Sequence, residues 1–200
     1  GGGRTCARKK GSRGEDAKAR RGSRDRGMPE EVNRLVTEQL ADLCLTPSRD
    51  GNVNLEAEGI PESRIRLVGN VMVDTLLHLR SKATALRAPE RHGVAGGRYA
   101  FVTFHRPSNV DDRSVLAELL HALDDLAGTM PVVFPIHPRT RQRISDFGFD
   151  ELARRVTLLD PLGSLETISL VERATLVLTD SGGLQAEPTV LGVPCLPARR

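Results

Sequence analysis

From residue 99 onward, short apolar runs and longer amphipathic stretches alternate without interruption, and that alternation leaves few folds open. Runs at 99–104, 132–136, 156–159, 175–179 and 194–196 have the length and residue types of strands buried on both faces. The gaps between them hold helices predicted at 114–126, 140–147, 164–173 and 184–191. Each is long enough for a crossover connection. The expected class is therefore α/β: a Rossmann-like parallel sheet with helices on both faces.

Upstream the pattern is looser. Residues 1–27 are rich in Gly, Arg, Lys and Ser with no hydrophobic period, which predicts a basic, disordered tail. A helix is expected from residue 28: Pro29 suits a first helical position, Glu30 and Glu31 complement a helix start, and Val32, Leu35, Val36 and Leu40 recur at helical spacing. Strands at 43–46 and 65–68 flank a helix at 49–58, and Gly69-Asn70 opens another helix reaching about residue 82. Residues 28–86 thus form one α/β piece, 87–98 read as a Pro-, Gly- and charge-containing linker, and 99–200 form the main unit.

The net charge of +3 is unevenly placed: residues 1–27 carry ten Lys and Arg against three acids, +7, which leaves −4 for the rest. The basic balance belongs to the tail, and the folded part gives no argument for nucleic acid or a membrane surface. A nucleic-acid reading of the tail would need an aromatic or folded reader beside the charge, and none is present. Cys6, Cys44 and Cys195 are odd in number and lack C-x-x-C spacing, which fits a reducing, cytoplasmic setting better than a disulfide framework. No run approaches the roughly 20 apolar residues of a bilayer span, and no secretory signal is expected.

In such a sheet, ligands sit beyond the carboxyl ends of the strands. Those positions hold His105-Arg106-Pro107-Ser108-Asn109, His137-Pro138-Arg139, Asp160-Pro161 and Asp180-Ser181-Gly182-Gly183. Small residues at Ser181, Gly182 and Gly183 allow close backbone approach, and the amides of a strand-to-helix turn favour a phosphate. His105 is the leading polar candidate beside that turn; Arg106, His137 and Arg139 are further candidates, the arginines as phosphate clamps. Glu187, one turn past Gly183, cannot hold phosphate but can accept two hydrogen bonds from a vicinal diol such as ribose, which makes a nucleotide the coherent ligand. Glu30 and Glu31 suit acid–base work or simple helix-start charge equally well. No metal-ligand constellation, nucleophile elbow or Walker A spacing occurs.

Five blocks in order, MPEEVNRLVTEQLADL, IPESRIRLVGNVMVDTLL, VTFHRPSNVDD, PVVFPIHPRTR and LVLTDSGGLQAEPTVLGVPCL, closely resemble the non-hydrolysing UDP-N-acetylglucosamine 2-epimerases. The resemblance spans about residues 23–196. It implies the glycosyltransferase-B type of fold, two Rossmann-like halves, with 28–86 a remnant of the first and 99–200 the nucleotide-binding second. The activity implied is interconversion of UDP-N-acetylglucosamine and UDP-N-acetylmannosamine by elimination and re-addition of UDP, with no nicotinamide or metal cofactor. Carried over by motif, Glu30 becomes a catalytic carboxylate, and His105 a catalytic or substrate-contacting group. Ser181, Gly182 and Gly183 become the diphosphate turn and Glu187 the ribose ligand.

The chain also departs from the family. Members are nearly twice as long, KARRGS at 18–23 stands where E-A-G-L-R-S is expected, and Lys18 replaces a catalytic glutamate. The R-E-x-T-E-R-P motif expected after the last strand is missing, so residues 1–22 and 197–200 depart from family sequence. The expectation is a fragment with weak or no turnover alone. A non-catalytic UDP-sugar-binding module is the alternative. Members resemble homodimers, and the product of the family feeds surface polysaccharide synthesis.

Overall fold

The computed structural model describes the backbone of residues 15–16 and 29–198, with side-chain surroundings from residue 32 onward. Most of the tail expected to be disordered lies outside the described residues. Within it Glu15–Asp16 is ordered as a short strand, β1, which corrects the expectation there. Two compact units divide between Asp74 and Thr75.

In the first unit β1 pairs in parallel with β2 (Leu43–Thr46), which pairs with β3 (Ile65–Leu67). Helices α1 (Pro29–Leu40) and α2 (Arg49–Ala57) accompany them. The core is small: Ala41, Cys44, Leu55, Ile60 and Ile65. Polar groups reinforce it. Arg64 donates to the carbonyls of Glu38 (3.1 Å), Gln39 (3.0 Å) and Ala41, satisfying orphan acceptors at the end of α1. Glu38, 1% exposed, is held by Arg34, which also reaches Glu58.

The second unit begins within α3 (Val71–Ala85) and continues through α4 (Ala88–Arg91). There follow β4 (Ala100–Thr103), α5 (Pro107–Val110), α6 (Arg113–Ala127), β5 (Val132–Pro135), α7 (Pro138–Asp146) and β6 (Thr157–Leu159). Then come α8 (Ser164–Arg173), β7 (Leu176–Thr179), α9 (Ala186–Leu191) and β8 (Cys195–Pro197). The sheet is parallel throughout in the order β6-β5-β4-β7-β8. Ala100, Val102 and Phe104 pack on one face with Leu116, Leu120 and Phe134, while Tyr99 and Phe101 pack on the other with Leu170 and Val171. This is the period-2 alternation of a strand whose faces are both covered. Phe104 meets Phe134 edge to face at 5.7 Å.

Two expectations change. Residues 87–98 are not a loose linker. Ala88, Pro89 and Val94 are buried in the second core, Ala88 N donates to Ser169 Oγ at 3.2 Å, and Glu90 and His92 pair with Arg173 and Glu166 of α8. The segment is too short to show a periodicity, yet it packs as part of the second unit. The helix expected from residue 184 becomes regular only at Ala186, after a turn over 182–185, and Gly192 ends it in the left-handed conformation (φ 75°) that favours glycine.

Candidate functional site

The chain leaves β4 toward β5 on one side and, after returning from β6, leaves β7 toward β8 on the other. The loops after β4 and β7 therefore part company at neighbouring strand ends, which opens a crevice at the topological switch point. Thr103 and Thr179, directly paired in register, share a hydroxyl contact of 2.8 Å at its base.

Asp180 organises both loops. It is fully buried, and its Oδ2 accepts from the amides of His105 (2.9 Å) and Arg106 (2.8 Å) and from Asn109 Nδ2 (3.1 Å). Its Oδ1 lies 2.8 Å from His105 Nδ1 and, among the described residues, has no other polar partner. Arg106 Nε donates back to the Asp180 carbonyl at 2.7 Å, and Asn109 also reaches the Ala198 carbonyl at 3.1 Å. Pro107, at the start of α5, suits the first turn that turns Asn109 inward.

A cleft of about 320 Å³ opens over these strand ends, walled by Thr103, His105, Ile136, His137, Leu162 and Ser181 among others. Ser181 N donates to Thr179 Oγ1 at 3.0 Å, and Ser181 Oγ accepts from Leu184 N at 3.4 Å, so the serine pins the turn at both ends. The Gly182 and Gly183 amides donate to no group among the described residues. Glu187 is half-buried and, among the described residues, has no hydrogen-bond or ion-pair partner. Burial pushes its carboxyl above the ordinary value of 4.5. The cleft lining offers two imidazoles and an apolar wall of Ile136 and Leu162, and the turn that follows Ser181 in the chain carries the Gly182 and Gly183 amides and, one helical turn on, the Glu187 carboxylate. Such a set can hold an anion, a diol and a flat ring.

The structure brings His105, His137 and Ser181 onto the lining of one cleft; Arg106 follows His105 in the chain and Gly182, Gly183 and Glu187 follow Ser181, but none of these four is part of the lining itself. His137 accepts from Arg139 N at 3.2 Å through Nδ1, capping α7, with its ring on the cleft wall. Arg139 does not line the cleft and is engaged by Asp111, which Arg143 also meets at 3.2 Å. Arg106 commits Nε to the loop itself. Glu30 stands in the first turn of α1, in the other unit; its side chain lies outside the described residues. Asp180 and Asn109 were not singled out as site residues from the sequence, because only their long-range partners mark them. A larger groove of about 930 Å³ lies along α3, α4 and α8, but no strand-end residue lines it, and its Arg80 and Arg173 are engaged by Glu172 and Glu90. The strand-end cleft is the chemically equipped one.

The chain is similar to known proteins over most of its length. A family model described as UDP-N-acetylglucosamine 2-epimerase matches residues 19–200. A UDP-N-acetylglucosamine 2-epimerase of Methanocaldococcus jannaschii is 36% identical over 183 residues, covering 88% of this chain and 50% of the relative. A UDP-2,3-diacetamido-2,3-dideoxy-D-glucuronate 2-epimerase of Pseudomonas aeruginosa is 39% identical over 175 residues, covering 86% and 48%. The crystal structure of the M. jannaschii UDP-GlcNAc 2-epimerase in complex with UDP-GlcNAc and UDP is similar with a TM-score of 0.74 at 35% identity, over 88% of this chain and 50% of that one. The chain spans about half the length of the curated relatives it matches.

Proposed function

The chain belongs to the UDP-N-acetylglucosamine 2-epimerase family, and from that premise we propose that it carries the nucleotide-binding half of an isomerase acting on UDP-activated 2-acetamido sugars. The observation that carries the proposal is the equipment of the switch-point cleft. The diphosphate lies against the free Gly182 and Gly183 amides beside Ser181, with His105 on its flank. Glu187 accepts from the ribose hydroxyls, and the apolar wall of Ile136 and Leu162 faces the base. The reaction inverts C2 of the sugar. A base removes the C2 proton, UDP departs from C1 with the electron pair of the C–O bond to leave a glycal, and UDP adds back after a proton returns from the opposite face.

Glu30 is the carboxylate this chain contributes to that acid–base set, through the motif resemblance. Turnover needs further groups in the span of the relatives that the match does not cover, so this chain alone has weak or no activity. The P. aeruginosa relative, named for a diacetamido uronate and 39% identical, is the reason the substrate is given as a class of 2-acetamido sugars rather than one sugar. A cytoplasmic setting belongs to the same proposal, supported by the odd number and the spacing of the cysteines. No helix among the described residues is long and apolar enough to cross a membrane. Homodimer formation follows the family resemblance.

Calorimetric titration of UDP, with uridine as comparator, tests the reading. UDP is expected to bind one to one, with uridine weaker by at least about tenfold, ~1.4 kcal/mol. Equal binding of the two would remove the diphosphate turn from the proposal, and no heat with UDP would overturn it. An isomerase assay then separates the enzyme reading from a UDP-sugar-binding module, the alternative that the half-length match favours.

Glu187 makes a separate prediction. Because burial raises its folded pKa above the unfolded value, the folded state carries an unfavourable charge once pH rises above both, and no penalty when both states are protonated. Glu187→Gln should therefore melt about 1–3 °C higher at pH 7. That gain should vanish below about pH 4, where both states are protonated. UDP affinity should fall at the same time, since a neutral amide accepts ribose hydroxyls less well. Differential scanning calorimetry across pH checks the first result, and the UDP titration checks the second.

A further inference from the structure

We propose that Asp180 is the positioning residue for His105: it holds a proton on Nδ1 and turns the Nε2 lone pair toward the cleft. The inference rests on the nucleotide reading only in placing the ring beside the proposed ligand.

The geometry distinguishes the two carboxylate oxygens. Oδ2 is occupied by three N–H donors, from His105 N, Arg106 N and Asn109 Nδ2, at 2.8–3.1 Å. Only Oδ1 remains, and it lies 2.8 Å from His105 Nδ1 with nothing else to meet. An imidazole nitrogen bearing a lone pair would repel a carboxylate oxygen at that distance, so Nδ1 carries the proton. The second nitrogen, Nε2, is then an acceptor when the ring is neutral. The ring is 52% exposed on the cleft side of the pair, while the carboxylate is fully enclosed. Asp180 touches no substrate in this scheme; it acts through His105. The same carboxylate fixes the loop that carries the histidine, because two of its three donors are backbone amides of that loop. Tautomer and ring position are thereby set by one group.

Asp180→Asn is the informative substitution. The three donors require an acceptor at the Oδ2 position, so the amide oxygen must stay there and the NH₂ must face His105. An NH₂ donates, which forces Nδ1 to give up its proton and moves the neutral ring to the Nε2–H tautomer. An analogous Asp-to-Asn change beside a catalytic histidine preserves geometry while imposing the wrong tautomer in serine proteases.

The test is heteronuclear NMR of ¹⁵N-histidine-labelled chain, at a pH where the rings are neutral, with His105 assigned by His105→Gln. The expected result is the Nδ1–H tautomer in the parent chain and the Nε2–H tautomer in Asp180→Asn. An Nε2–H ring or an even mixture in the parent chain would overturn the proposal, and this arm needs no variant to fold. An unchanged tautomer in Asp180→Asn would overturn it as well. Absence of UDP binding to the parent chain would instead sink the nucleotide reading, leaving the tautomer to decide this inference by itself.

Discussion

Tryptophan in place of Ser181 should abolish UDP binding while leaving the fold nearly as stable as before. Ser181 lines the mouth of the 320 Å³ cleft, where an indole would occupy the space proposed for the diphosphate. The backbone has reason to stay in place. Ser181 N donates to Thr179 Oγ1 whatever the side chain is, and the only side-chain bond lost is the long 3.4 Å acceptance from Leu184 N. That loss amounts to about 0.5–1 kcal/mol. Against it stands an affinity loss of more than about 100-fold, ~2.7 kcal/mol or more, because the ligand must displace a bulky ring and cannot approach the Gly182 and Gly183 amides. The two effects separate experimentally. UDP should raise the melting temperature of the parent chain by mass action and have no effect on the variant, whose own melting temperature should lie within about 3 °C of the parent. If UDP bound Ser181→Trp within threefold of the parent, the diphosphate would have to lie elsewhere.

Asp180→Ala should be the most damaging single change in the second unit. Alanine removes the acceptor from two backbone amides and the Asn109 amide together, where the carboxylate is fully buried and its donors are buried or partly buried. Stranding buried donors costs far more than the net worth of the bonds themselves, and three at once amount to about 3–5 kcal/mol. For a chain of this size that lowers the melting temperature by about 10 °C. The loop 105–109 should also lose its path, since Arg106 and Asn109 are both fixed through Asp180 and only Asn109 has a second anchor, at Ala198. Asp180→Asn keeps an acceptor for all three donors, so it should melt well above the alanine variant. Equal melting temperatures for the two would mean that the three bonds contribute little. A fall of less than about 3 °C in Asp180→Ala would contradict the organising role given to this carboxylate.

The sequence placed residues together where they stand at strand ends. His105 and His137 directly follow an apolar run, Ser181 stands one residue later, and the structure sets all three around one cleft. The sequence did not show where a side chain has a competing partner. Arg139 is drawn to Asp111, 28 residues away, because an arginine within reach of a carboxylate will pair with it, and nothing near position 139 signals that neighbour. Asp180 is a similar case. In the sequence it is one acid ahead of a Gly-Gly turn, whereas in the fold it is the acceptor for amides 74 and 75 residues earlier. Residues 87–98 were misread for a different reason: four helical residues and a left-handed turn at Arg87 are too few to show a period, although Ala88 and Val94 are buried in the core.

The sequence by itself determined the kind and order of the elements of the second unit. A strand covered on both faces must be a continuous apolar run, and each crossover must be a helix with one apolar stripe; both requirements are local and readable. It also determined the family, through motifs whose residues stand together in the chain. Only the tertiary structure decided the strand order β6-β5-β4-β7-β8, and with it the site. Placing β7 beside β4 brings Asp180 to the His105 loop and opens the crevice between them. Hydrogen bonds act over about 3 Å, so which polar groups meet is set by which strands are neighbours, and apolar runs of similar composition carry no label for their neighbours.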